Sequence, residues 1–131
     1  MLLFMGKKTI TVFTPTFNRA HLLPRLYESL CAQTSQDFIW LVIDDGSSDG
    51  TEELVKQWQE DNIIQIEYRY KENGGMHTGH NLAYQVIDTE LNVCIDSDDY
   101  MPENAVELIL NTWKSVSTKS KIAGIIGLDA D

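Results

Sequence analysis

The sequence predicts an α/β fold in which a mainly parallel sheet is flanked by helices, and three observations predict it. The run Phe38-Ile39-Trp40-Leu41-Val42-Ile43 is unbroken, apolar and rich in β-branched and aromatic side chains, as a strand buried on both faces requires. Segments of this kind alternate along the chain with segments whose apolar residues recur at helical spacing. Two of the strand-like segments end in dense acidic turns, Asp44-Asp45-Gly46-Ser47-Ser48-Asp49-Gly50 and Asp96-Ser97-Asp98-Asp99. In open α/β sheets ligands lie beyond the carboxyl ends of the strands, so both turns, Asp44 and Asp45 included, are expected to face a ligand.

Taken in order, residues 9–14 form a β-rich run that is expected to stop at Pro15. Leu22, Leu23, Leu26, Tyr27, Leu30 and Cys31 then recur at helical spacing, with Asn18 as the expected cap and Pro24 in the first turn. After the central strand, Gly46 and Gly50 supply unusual backbone angles. Asp49 with Glu52 reads as a capping box for a helix from about Thr51 to Asp61, with Leu54, Val55 and Trp58 facing inward. Ile64, Ile66, Tyr68 and Tyr70 alternate with polar residues and predict a more exposed strand, broken by Lys71-Glu72-Asn73-Gly74-Gly75. A short helix carries Leu82, Ala83, Val86 and Ile87. Leu91 to Ile95 is a further strand, and Pro102 at a first helical position opens a helix to about Trp113. The run Ile122 to Leu128 reads as a fifth strand, after which the chain stops. No linker interrupts this order, so residues 1–131 are expected to form a single domain.

Composition narrows the function. The 131 residues carry a formal charge of −10 and no basic stripe, which argues against nucleic acid as a partner. If a phosphate-bearing ligand binds so acidic a protein, a divalent cation is the natural bridge between the two. Cys31 and Cys94 lie far apart within apolar segments and read as core thiols. No segment approaches the roughly 20 apolar residues of a membrane span. The expected location is cytoplasmic, with peripheral attachment to an inner membrane left open.

Two carboxylates one residue apart on extended backbone, Asp96 and Asp98, can share a hard cation that keeps positions free for phosphate oxygens. The other acidic turn matches an EF-hand at Asp45, Ser47, Asp49 and Gly50, but Lys56 stands where a bidentate Glu is required. His77 and His80 lack a third ligand nearby and read as an ordinary polar face. Trp40, Trp58 and Trp113 read as core or core-edge residues.

Together, Thr14-Pro15-Thr16-Phe17-Asn18-Arg19, the Asp44–Thr51 turn, Asn73-Gly74-Gly75 and Asp96-Ser97-Asp98-Asp99 resemble, in order and spacing, the nucleotide-binding half of family 2 glycosyltransferases, which have the GT-A fold. The resemblance implies an inverting transferase that takes a nucleotide-diphosphate sugar, UDP-linked by expectation. Pro15, Phe17, Asn18 and Arg19 would flank base and ribose, with Phe17 where a Tyr is common. Asp45 would hydrogen-bond the base, with Gly46, Asn73, Gly74 and Ser97 lining the site. Asp96 would face ribose or metal, and Asp98, with Asp99 as a substitute, would bind Mn2+ or Mg2+. Met76 stands where many relatives carry a basic residue. The family's general base and acceptor region lie beyond Asp131, so no catalytic residue is expected within this chain. The acceptor (saccharide, lipid-linked saccharide or protein) is left open, and uncovered apolar surface would favour a homodimer. A non-catalytic nucleotide-sugar-binding module is the alternative. A nucleotidyltransferase would need a glycine-rich phosphate loop after the first strand, and Thr14 to Arg19 contains no Gly.

Overall fold

A computed structural model describes residues 7–116. Four strands, β1 (Ile10–Thr16), β2 (Phe38–Asp44), β3 (Ile66–Tyr70) and β4 (Leu91–Cys94), alternate with four helices, α1 (Leu23–Cys31), α2 (Thr51–Asp61), α3 (Met76–Val86) and α4 (Ala105–Val116). The sheet is parallel throughout, in the order β3-β2-β1-β4. The expected fifth strand, 122–128, lies outside the described residues.

Chain handedness explains the layers. From β1 to β3 the chain steps in one direction across the sheet, and from β3 to β4 it steps back across β2 and β1. Right-handed crossovers therefore put α1 and α2 on one face and α3 on the other. Two cores result. Ile10, Val12, Phe38, Trp40 and Val42 pack beneath α1, α2 and α4, with Leu23, Leu26, Leu30, Val55, Trp58 and Val106. The second, smaller core joins Phe13, Leu41 and Ile43 to Ala83 of α3. Tyr27 stacks on Trp58 at 4.2 Å between centroids and 8° between planes, with Trp40 beneath both. His80, expected on a polar face, is half-buried and packs edge-on against Phe13 of the second core.

Several boundaries differ from expectation. β1 runs through Pro15 rather than stopping there, and Pro15 pairs with Ile43. Alternation along β1 directs the odd-numbered residues toward β4: Thr9 O accepts Leu91 N–H and Phe13 O accepts Ile95 N–H. Pro15 follows on that side, where β4 has ended, so its missing N–H leaves no gap in the ladder. α4 begins at Ala105, not at Pro102: Pro102 O accepts Ala105 N–H in a turn as well as the Gln33 amide, Glu103 O accepts Thr34 N–H, and Val106 N–H turns to Gln33 Oε1 instead of a carbonyl one helical turn earlier. Cys31 packs against the larger core as expected, but Cys94 is exposed. Its side chain points to the α3 face, and α3 packs over β1 and β2.

Candidate functional site

The strand order reverses between β1 and β4, and in open α/β sheets the ligand crevice lies at such a point, beyond the carboxyl ends of the strands. The loops after β1, β2 and β4 surround it, and the Asn73–Gly75 segment joins them from the end of β3.

The two adjacent aspartates at the end of β2 have different fates. Asp44 continues the Trp40–Val42 face, is fully buried, accepts the Ser47 amide on Oδ1 at 2.8 Å and takes the Tyr68 hydroxyl on Oδ2. This corrects the expectation that Asp44 faces a ligand: the strand pleat turns it inward. Asp45, 8% exposed, turns to the other side and is held by Lys71 Nζ and Gly74 N–H on Oδ1, with Gly75 N–H on Oδ2 at 3.0 Å. Burial pushes its carboxyl up, but the Lys71 ammonium and the two glycine amides outweigh this and hold it below the usual carboxylate range. Asp45 is thus an ionised acceptor, and among the described residues Oδ2 has an acceptor position free. Gly46 permits this arrangement. Its φ is +92°, and a Cβ there would stand 2.9 Å from Asn73 N.

The β1 and β2 loops are fastened to each other. Asn18, at φ 51°, donates its N–H to Ser47 Oγ and accepts Ser48 N–H on Oδ1, and Ala20 N–H reaches Asp49 Oδ2. Two expected caps are therefore not formed. α1 has Leu22 at its cap position and no side-chain cap, Asn18 being engaged with Ser47 and Ser48, and α2 has Gly50 at its cap position. Asp49 serves Thr51 and Ala20 instead of closing a box with Glu52. These bonds outweigh the burial that would raise its carboxyl and keep it low. The latch leaves the Phe17 ring 43% exposed at the crevice rim.

Arg19 crosses the crevice, with Nη1 donating to the buried Ser97 Oγ at 3.4 Å. Asp96, Asp98 and Asp99 are exposed, and one carboxylate oxygen from each lies within 4.8 Å of the others. The Asp99 N–H to Asp96 O turn folds them together. Three hard oxygen donors so gathered suit Mg2+ or Mn2+ and leave room for a ligand's oxygens. Pro15 lies within β1 near its end, and Phe17, Asn18, Arg19, Asp45, Gly46, Asn73, Gly74, Asp96, Ser97 and Asp98 lie on the segments that follow the strands at the carboxyl end of the sheet. The sequence reading assigns no site role to Lys71 or Gly75, although a cation two residues ahead of Asn73-Gly74-Gly75 in so acidic a chain is a signal for the first.

The sequence profile described as Glycosyl transferase family 2 matches residues 11–120. An uncharacterized glycosyltransferase of Rickettsia bellii is 34% identical over 101 residues, which make up 77% of this chain and 14% of that protein. Among solved structures, S. aureus TarS 1-349 in complex with UDP superposes with a TM-score of 0.77 at 24% identity, over 83% of this chain and 33% of that one. The mannosyltransferase PcManGT from Pyrobaculum calidifontis, in complex with GDP-Man and Mn2+, gives a TM-score of 0.67 at 26% identity, over 74% of this chain and 29% of that one. The chain spans a third or less of the length of each of these three proteins. Among the described residues no helix is long and apolar enough to cross a membrane. The parallel sheet with helices on both faces is GT-A-like, a nucleotide-sugar-binding fold, and the chain belongs to glycosyl transferase family 2.

Proposed function

We infer that residues 1–131 act as one donor-binding domain, N-terminal within a longer transferase that moves a sugar from a nucleotide diphosphate to an acceptor in the synthesis of cell-surface polysaccharide or glycoconjugate. What supports this reading is that an ionised, partly satisfied acceptor (Asp45), an exposed aromatic ring (Phe17) and a three-carboxylate cluster each follow a strand at the same, carboxyl end of the parallel sheet. Phe17 stacks on the base, and Pro15, Asn18 and Arg19 line base and ribose. Asp45 accepts from a ring N–H, which uracil and guanine possess and cytosine lacks; uracil is the reading favoured here. Gly46, Asn73 and Gly74 form the wall behind the base, and Asp96 and Ser97 face the ribose. Asp98 and Asp96, with Asp99 beside them, hold Mn2+ or Mg2+, which when bound neutralises charge on the departing diphosphate. The transfer proceeds with inversion, by direct displacement of the nucleotide diphosphate.

Calorimetric titration of UDP with Mn2+, repeated with EDTA and with Asp98→Ala, tests the reading. Binding that needs both the metal and Asp98 is expected, with GDP weaker and CDP absent. Binding of UDP that ignores both EDTA and Asp98→Ala would remove the metal assignment and favour a non-catalytic module.

A further inference from the structure

The acidic loop is anchored on both sides, and the downstream anchor is a side chain remote from the crevice. Upstream, Ile95 N–H bonds Phe13 O at 3.0 Å and ends the sheet pairing. Downstream, the segment from Met101 to Val106 lies along the end of α1. Met101 N–H donates to Ser29 Oγ at 3.1 Å, and Thr34 N–H donates to Glu103 O at 2.8 Å. Between these contacts sits Gln33, 5% exposed. Its Nε2 donates to Ser29 O at 3.0 Å and to Pro102 O at 2.7 Å, and its Oε1 accepts Val106 N–H at 3.0 Å. The reverse amide orientation would set oxygen against two carbonyls, so the contacts fix it.

Val106 N–H belongs to the first turn of α4, where helix amides have no partner within the helix. Gln33 therefore caps α4 from another element while holding the carbonyl of Pro102, three residues beyond Asp99. The three carboxylates are exposed, while Ser97 between them is buried and holds Arg19 Nη1, so the shape of the stretch from Asp98 onward depends on where its downstream end is fixed. We propose that Gln33 is a positioning residue for the carboxylate cluster: it sets the downstream end of the Asp96–Asp99 loop and thereby the spacing of the three carboxylates that receive a divalent cation. The proposal rests on the donor-site reading for the purpose of the cluster, and on the hydrogen bonds alone for the control of its shape.

Gln33→Met keeps the length of the side chain and removes all three hydrogen bonds. Two readouts separate positioning from general support. Amide hydrogen exchange is expected to speed up at Met101, Val106 and also at Asp99, whose N–H closes the loop turn. With UDP present, affinity for Mn2+ is expected to fall about tenfold or more, the range found when groups orienting metal ligands are removed. Affinity for uridine, which touches Phe17 and Asp45 but no metal, is expected to hold within about twofold. Unchanged exchange at Asp99, or parallel losses for Mn2+ and uridine, would overturn the proposal. If the wild-type chain binds neither, the donor-site reading fails, and the exchange rate at Asp99 alone decides whether Gln33 shapes the loop. Should Gln33→Met not fold, Ser29→Ala removes the acceptor of Met101 N–H and is judged by the same exchange at Asp99.

Discussion

Tyr68 gives its hydroxyl hydrogen to Asp44 Oδ2 between the ends of two adjacent strands, so the first of two consecutive aspartates is consumed inside the protein and the second alone faces the crevice. Asp44 is fully buried, and its other oxygen holds the Ser47 amide that begins the acidic turn. Tyr68→Phe leaves that buried carboxylate one partner short. A hydrogen bond to a charged group contributes about 1.5–3 kcal/mol, and a loss in that range is expected as a lower urea midpoint with an unchanged m-value. Tyr84→Phe, altering a residue 60% exposed, is the control and should leave the midpoint in place.

The same pair carries an alkaline prediction. Burial first, then the bond to Asp44 and its charge, raise the Tyr68 phenol far above its ordinary value of 10.0. A raised folded value means that the stabilisation is complete below the ordinary phenol range and is lost as pH rises beyond it. The stability difference between wild type and Tyr68→Phe should therefore be flat through neutral pH and shrink above about pH 10, measured by urea unfolding across that range.

Asp45 works in the opposite direction. Its carboxyl is held below the free value of 3.8, burial being outweighed by Lys71 and the amides of Gly74 and Gly75. The stabilisation is present above that value and is lost as pH falls through the lower folded one. Asp45→Asn should cost about 2 kcal/mol at neutral pH, as expected for charge-assisted bonds. The gap to wild type should hold down to about pH 5 and close below about pH 4. Chemical unfolding at stepped pH checks this, and a gap that widens in acid would refute the assigned ionisation.

Which of these features could be read in the sequence follows from how local their causes are. The apolar run 38–43 and the helical spacing at Leu23, Leu26 and Leu30 survive because each states its own burial. The inward turn of Asp44 could not be read, because β2 is apolar on both faces and its pattern does not say which face the crevice adjoins. Asn18 and Asp49 have the composition of helix caps, yet Asn18 Oδ1 is taken by Ser48 N–H on the facing loop, and Asp49 divides its oxygens between neighbouring Thr51 and Ala20 on the other loop. Pro15 within β1 depends on β4 ending early, and the start of α4 depends on Gln33. In each case a long-range contact overrode a sound local preference.

Two glycines separate backbone need from mere smallness. Gly46→Ala forces a side chain onto φ +92° and sets its Cβ 2.9 Å from Asn73 N, a backbone atom with little freedom to move. A loss of about 2 kcal/mol or more is expected, together with weaker UDP binding as Asn73–Gly75 is pushed from Asp45. Gly79→Ala, within α3, places a Cβ 3.6 Å from Ile43 Cγ2 and 3.8 Å from Pro15 Cβ, ordinary contact distances. It should stabilise by about 0.5–1 kcal/mol through helix propensity. Thermal unfolding of both variants checks the contrast, and equal effects would contradict the packing described for Gly46.

The carboxylate cluster should trade stability for binding. Asp96, Asp98 and Asp99 bring like charges together on an exposed loop, where solvent screens most of their repulsion. In EDTA, Asp98→Asn should therefore change stability by no more than about 0.5 kcal/mol, with any change in the direction of a gain. With UDP and Mn2+ the order should reverse. Ligand at a hundredfold excess over its Kd adds about 2.7 kcal/mol to the wild-type protein, and Asp98→Asn should forgo most of that increment. The measurement is a pair of melting curves for each protein, with EDTA and with UDP plus Mn2+. A wild-type melting temperature that rises equally in Asp98→Asn would mean that the nucleotide is held without this cluster. A clear loss of stability in EDTA would mean that Asp98 supports the fold through contacts other than those seen at the crevice.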